Sequence, residues 1–311
     1  MKKRIHLILL MLCLASLFTG CTMRTVEKEG IEAEPRQMRV RNPETGRNEL
    51  ISEMTYEEWA GWKDVNRSTS ADSAASITTR AEATSYLRRV FSEINGDMGR
   101  IDNEVLVENI NQFKRLNDKF GALSESNRGV FAVERSGQTH AAVRGTFRNL
   151  DQQSLSLGTE HFGRGRDALI SSAKKESESN WSMRCKAENY SVYTITHEYG
   201  HILHNTIIRS RVDINDFEKR RSEVLISKNG ISKAEKMRKT ESDKHAKAVF
   251  KEVLDIAKES NSEFSLSANI SRYGKTDYYE AFAEVFANSQ LGDPNELGLA
   301  MNVWLERQGY K

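Results

Sequence analysis

Thr196-His197-Glu198-Tyr199-Gly200-His201-Ile202-Leu203-His204 dictates how the rest of this chain is read. It contains His-Glu-x-x-His. On a helix, residues four apart share a face, so His197 and His201 can point at one metal ion. Imidazole nitrogen is a good zinc donor. Glu198, beside the first histidine, can reach a water on such an ion without ligating it. Composition alone produces this pattern in roughly one chain in a hundred of this length. A helix with two satisfied histidines is the bland alternative. The apolar flank Ser191-Val192-Tyr193-Thr194-Ile195 makes the helix buried, and burying two imidazoles and a carboxylate without a partner is costly. A metal resolves that cost.

A catalytic zinc takes three protein ligands and leaves one position for water. His204 lies on roughly the same face as His197, but seven residues at about 1.5 Å each put it ~10 Å along the axis. It reads as a structural neighbour. The metzincin pattern is excluded, because His204 and Ile207 occupy the positions of its glycine and third histidine. The better candidates lie in Tyr273-Gly274-Lys275-Thr276-Asp277-Tyr278-Tyr279-Glu280-Ala281-Phe282-Ala283-Glu284-Val285-Phe286-Ala287. Glu280 and Glu284 share a helix face beside the core-like Phe282, Val285 and Phe286, and carboxylates on a half-buried helix need a positive partner. Spacing leaves a second possibility open, in which Asp277 is an N-cap and Glu280 its capping-box partner.

These two segments together resemble the gluzincin zinc metallopeptidases related to the anthrax lethal factor catalytic domain. That family carries His-Glu-x-Gly-His, then a Tyr-Gly-x-Thr turn. A zinc-binding Glu follows seven residues after the Tyr, inside Glu-x-Phe-Ala-Glu-x-Phe. Every element is matched here, while the likeness is thin elsewhere. The resemblance implies His197, His201 and Glu280 as ligands of Zn2+, Glu198 as general base and Tyr273 as a hydrogen-bond donor to the transition state. It implies Glu284 as a residue behind the ligands. The expected fold is α+β, a zincin-like metallopeptidase domain that is mostly helical with a small antiparallel or mixed sheet. The expected activity is zinc-dependent endopeptidase action on a protein or peptide substrate. A non-catalytic envelope protein using the same fold to bind a partner is the competing class. A self-processing or toxin-like peptidase with one chosen target is a third.

The N-terminus reads as an address. Lys2, Lys3 and Arg4 precede an apolar run from Ile5 to Phe18, too short for the roughly 20 residues of a bilayer span. It ends in Phe18-Thr19-Gly20-Cys21, which resembles the bacterial lipoprotein signal, with Phe18 in place of the usual Leu. The resemblance implies cleavage before Cys21, a lipid on Cys21 and export to the cell envelope. Thr22 leans toward the outer membrane in a cell with two membranes. Residues 1–20 are therefore read as signal, 21–80 as tether and linker, and 81–311 as the catalytic domain. Within the tether, Met54–Trp62 concentrates aromatics and Asn66–Thr79 is rich in Ser, Thr and Ala.

Charge excludes a further class. Over 311 residues, 46 Lys and Arg face 44 Asp and Glu. Lys2, Lys3 and Arg4 are the only charges in residues 1–20, so the chain from Cys21 carries 43 bases against 44 acids, a net of −1. A nucleic-acid partner is not expected from that balance. No proline falls between Pro43 and Pro294, which permits many helices. Leu106, Ile110, Phe113 and Phe120 recur at helical spacing with Gly121 as a C-cap. Val130–Val133 and Ala141–Val143 flank Ser136-Gly137 and predict a hairpin. Ser154–Leu157 alternates as a strand able to present an edge to an extended peptide. Residues 164–178 predict a helix, and capping boxes at Asn215…Glu218 and Ser232…Glu235 predict two more. Cys185 stands alone in the body of the chain and reads as a buried structural thiol, with a zinc-binding switch role as the weaker alternative.

Overall fold

A computed structural model describes residues 39–41, 48–50, 76–124, 128–135 and 140–310. The signal segment, Cys21 and Met54–Trp62 lie outside the described residues. The chain divides into residues 1–75 and a compact unit from Ser76 to Lys311. In the first, β1 (Arg39–Arg41) pairs antiparallel with β2 (Asn48–Leu50), Arg39 facing Leu50. This ladder lies in a stretch whose polar composition carries no strand signal.

The compact unit starts by pinning Ile77. Its N–H donates to Asn111 Oδ1 at 2.9 Å, and Asn111 Nδ2 donates to its carbonyl at 2.7 Å. Ile77 is buried, so the Ser/Thr-rich linker gives way to the core two residues before Thr79. Thr79 then caps α1 (Arg80–Val90) in a reciprocal box with Glu82. β3 (Glu93–Asn95) follows, and then α2 (Asn103–Phe120). Asp102 caps α2 at its start, and Gly121 at φ 61° ends it as its composition predicts. The apolar stripe of α2 is buried throughout.

The sheet is mixed. β4 (Val130–Glu134), β5 (Ala141–Arg144) and β6 (Ser154–Gly158) join β3 in the order β3-β4-β6-β5. β3, β4 and β6 run parallel and β5 runs antiparallel to β6. The predicted hairpin therefore does not form, because β6 lies between β4 and β5. The burial pattern gives the reason. Four successive residues of β6 are buried, whereas no residue of β5 is. A strand covered on both faces belongs in the middle, and a half-exposed one at the rim.

The remaining elements are helical: α3 (Arg166–Glu178), α4 (Tyr193–Arg211), α5 (Ile214–Leu225), α6 (Gly230–Ser260), α7 (Tyr278–Gln290) and α8 (Glu296–Arg307). The fold is thus α+β, mostly helical with a small mixed sheet. Both predicted capping boxes are displaced. Asp213, not Asn215, caps α5 by accepting from Asp216 N at 3.0 Å, and Glu218 pairs with Arg148 instead. α6 begins at Gly230 after Asn229 turns left-handed at φ 60°, which leaves Ser232 inside the helix. Glu235 there holds Arg238.

α4 is the axis of the unit. It packs along α7, across α2, and beneath the edge strand β5. Gly200 permits the approach of α7. A Cβ at that position would meet Ala283 Cα at 3.0 Å and Phe286 Cδ1 at 3.2 Å. Polar bonds fix the register of α4. Gln112 Nε2 donates to Thr196 Oγ1 at 2.9 Å, Asn109 Nδ2 to the Ser191 carbonyl at 3.1 Å, and Asn205 Nδ2 to Gln153 Oε1 at 2.9 Å. Tyr199, fully buried among Phe113, Phe120 and Phe286, anchors the back of the helix. The face opposite carries the histidines.

Candidate metal centre

His197 and His201 leave α4 one turn apart and converge on Glu280 from α7. Glu280 Oε2 lies 3.1 Å from His197 Nε2 and 3.3 Å from His201 Nε2. The two Nε2 atoms are 3.1 Å apart. Asp277 does cap α7, accepting from Tyr279 N at 2.8 Å and Glu280 N at 2.9 Å. The Glu280 carboxylate lies beside the histidines, so the cap at Asp277 forms without the reciprocal bond of a capping box. Among the described residues, His197, His201 and Glu280 are the one group of three or more His, Cys, Asp or Glu able to share an ion.

The donor set fits a zinc ion. Ligand atoms about 2.0–2.1 Å from a tetrahedral zinc stand about 3.3 Å from one another. The three donor atoms here form a triangle with sides of 3.1, 3.1 and 3.3 Å. In the protein alone, one carboxylate must serve both imidazoles. Burial opposes a charge on His197, but hydrogen bonds to Glu280 and Glu284 and the charge of Glu198 outweigh it, raising its pKa to about 10. Burial likewise opposes charge on Glu280, and the two histidines overcome it, holding that carboxyl well below the usual range. The site is thus built to hold positive charge.

Glu284 lies behind the first histidine. Its Oε1 is 3.1 Å from His197 Nδ1 and accepts from the Tyr193 hydroxyl at 2.9 Å. Its Oε2 accepts from Met183 N at 2.8 Å and Ser271 Oγ at 2.6 Å. The 3.1 Å to His197 Nδ1 is ion-pair distance, although that nitrogen makes no hydrogen bond of good geometry. Tyr193, Ser271 and the Met183 amide were not picked out from sequence. Tyr193 sits four residues before His197, so the same helical spacing that paired the histidines marks it.

Tyr273 stacks on the His197 ring at 5.8 Å and on Trp181 at 5.4 Å. Its carbonyl accepts from Thr276 Oγ1 at 2.7 Å, which is the work of the Tyr-Gly-x-Thr turn. Burial first, then the charge and hydrogen bond of Glu280, push its hydroxyl well above the usual phenol range. The hydroxyl therefore stays protonated and able to donate. Glu198 has a buried Oε2 without a hydrogen-bond partner. It lines two cavities of about 310 and 280 Å3, which also share Ala141 and Tyr273.

Comparison of the chain with protein-family models, with curated proteins and with solved structures finds no match. What the chain does must be argued from the centre itself.

Two expectations about neighbours hold. His204 lies outside the ligand group. It is fully buried, its ring stacks on Phe282 at 4.2 Å, and burial drives its pKa well below the ordinary histidine value. Cys185 is buried in the core, and burial raises its thiol to about 12, which leaves no thiolate to act as a switch. One expectation is corrected. Ser154–Leu157 cannot offer a free edge, since β6 is bonded to β4 on one side and β5 on the other. The edge beside the centre belongs to β5, whose Ala141, Ala142 and Val143 line the cavity that holds His201 and Glu280.

Proposed function

We propose that this chain is a zinc-dependent endopeptidase with a zincin-like catalytic unit, exported and held at the cell envelope by a lipid on Cys21. One observation carries the catalytic part. Two imidazole nitrogens and a carboxylate oxygen converge within 3.1–3.3 Å, beside a buried carboxylate that none of them occupies. A zinc ion held by His197, His201 and Glu280 supplies Lewis acidity and lowers the pKa of a bound water to about 7.

The chain's own residues do the rest. Glu198 accepts a proton from the attacking water and passes it to the departing amine. Its Oε2 is buried and has no hydrogen-bond partner of its own, which leaves it open to accept. Tyr273 donates its hydroxyl hydrogen to the oxygen on which negative charge grows. Glu284 keeps the His197 ring oriented. A peptide laid antiparallel on the edge of β5 that pairs with no other described strand passes Glu198 and Tyr273, since Ala141 lines both cavities with them.

The test is metal analysis of the full chain beside Glu280→Ala and Glu198→Gln, with cleavage of unfolded casein as the activity readout. Wild type and Glu198→Gln should each carry about one zinc, Glu280→Ala much less, and only wild type should cleave. Unchanged zinc in Glu280→Ala would remove it from the ligand set. Cleavage by Glu198→Gln would remove the base.

A further inference from the structure

The larger cavity beside the centre, about 310 Å3, is bounded by His140, Glu176, Trp181, Ser182, His197 and Glu198. That is near the lower end of roughly 300–1,000 Å3 for ligand pockets, room for one side chain. Two of its polar groups are only partly used in the protein alone. Ser182 is buried and its Oγ has no hydrogen-bond partner. Glu176 has no Lys or Arg partner among the described residues. The nearest basic side chain in an ion-pair contact with it is His140, whose Nδ1 lies 3.6 Å from Oε1, too far for a hydrogen bond.

Several other part-buried carboxylates of the unit are matched by a cation: Glu108 by Arg166, Glu218 by Arg148, Glu252 by Arg211 and Glu241 by Lys244. Glu284 is satisfied by Tyr193, Ser271 and the Met183 amide. Glu176 keeps a side chain only 30% exposed without such a match. His140 cannot swing freely to supply one, because its ring lies flat on His161, 3.6 Å between centroids and 4° between planes. Burial first, and then the charge of Glu284, push the Glu176 carboxyl above its ordinary value despite His140 and a hydrogen bond with Ser172. A carboxylate in that condition gains when a cation arrives.

We propose that this cavity selects a basic side chain, arginine in preference to lysine, on the substrate residue that follows the scissile bond. This rests on the endopeptidase reading above. A carboxylate has acceptor sites beyond the Ser172 bond of Glu176, and Ser182 Oγ has no partner; a guanidinium offers five donors in a planar fork where an ammonium offers a single point charge. The position follows from β5. An antiparallel peptide on that edge runs from the Arg144 end toward the Ala141 end. This cavity is bordered by His140 and Ala141 at the start of the strand, while the other extends from Ala141 through Val143 to Gly145. The cavity at the start of β5 therefore receives what lies downstream of the cut.

The experiment uses the full chain loaded with zinc. A peptide library randomised at the position after the scissile bond should show arginine favoured over leucine by at least tenfold in kcat/KM. Glu176→Gln should lower that ratio about tenfold, and Glu176→Arg should turn the preference toward glutamate. In parallel, agmatine, a guanidinium probe, is titrated by calorimetry against wild type and Glu176→Gln. About tenfold weaker binding in the variant, with zinc content and Tm unchanged, supports the pocket. Equal agmatine binding overturns it, as does a library with no basic preference. A wild type that cleaves no peptide defeats the endopeptidase reading, and the agmatine titration still decides whether the pocket takes a cation.

Discussion

Glu284 Oε1 lies 3.1 Å from His197 Nδ1, while Glu280, one turn earlier on the same helix, lies 3.1 Å from Nε2 of the same ring. One helix thus places a carboxylate beside each nitrogen of one imidazole, and on the proposed reading the two have separable roles. Glu280 would face the proposed ion and Glu284 the other side of the ring. Truncating Glu284 should therefore weaken metal binding without removing a ligand. Glu284→Gln is expected to keep zinc at saturating metal but to lose about 10–100-fold in affinity. Competition with a chelator measures this. Unaltered affinity would reduce Glu284 to a packing residue, joined to Tyr193 and Ser271 but irrelevant to the histidine.

Tyr273 poses the opposite case. Its ring packs on His197 and Trp181, and only its hydroxyl is assigned to chemistry. Tyr273→Phe keeps the stack and deletes the donor. Metal content and KM should be close to wild type, and kcat should fall by about 10²-fold, as when one oxyanion donor is lost. A fall in KM alone, or an unchanged kcat, would take the hydroxyl out of the mechanism.

Gly200 tests how the fold sets the site. Alanine there is a better helix former by about 1 kcal/mol, but its Cβ would press on Ala283 Cα at 3.0 Å. Ala283 is backbone-adjacent to Glu284 and three residues from Glu280, so relief of that contact moves α7 and its carboxylates away from α4. Overpacking of this kind costs about 1–3 kcal/mol. Gly200→Ala is expected to fold, with zinc affinity reduced more than stability. Thermal unfolding with and without zinc separates the two effects, and a variant with wild-type affinity would mean that α7 does not depend on Gly200 for its position.

Much of the centre was legible because its signal is local. His197 and His201, and Glu280 and Glu284, are pairs on single helices, and helical spacing alone puts each pair on one face. Their meeting was legible only through the family resemblance, since no spacing rule links residue 197 to residue 280. The sheet was less legible for the same reason. Val130–Val133, Ala141–Val143 and Ser154–Leu157 each declare a strand locally, but which one lies between the others depends on how deeply each is covered. Chain proximity favoured a β4–β5 hairpin, and burial of Leu155 and Leu157 decided against it. Cap positions failed by two and three residues because several Asp, Asn and Ser stand near each helix start. Glu218 and Glu235 were already engaged by arginines. Glu176 carried no signal at all, as its isolation is visible only when every arginine has been placed.

The His140–His161 stack gives the unit a dependence on acid that is separate from the metal centre. Burial first, then the charges of His140 and Arg164, lower the pKa of His161 from 6.5 to about 4. The unfolded chain therefore binds a proton near pH 6.5, while the folded chain resists it until about pH 4. The sign follows: above pH 6.5 neither state is protonated at this ring and it costs nothing, and stability is lost as pH falls from about 6.5 toward 4. A shift of this size in a group about a third exposed, discounted for solvent screening, is worth about 1–2 kcal/mol. His161→Phe keeps a flat ring against His140 and cannot titrate. Denaturant unfolding of metal-free protein at pH 7 and pH 4.5 should show a smaller acid loss in the variant, by about that amount. Parallel losses in both proteins would mean that the stack is kept neutral by something other than its burial.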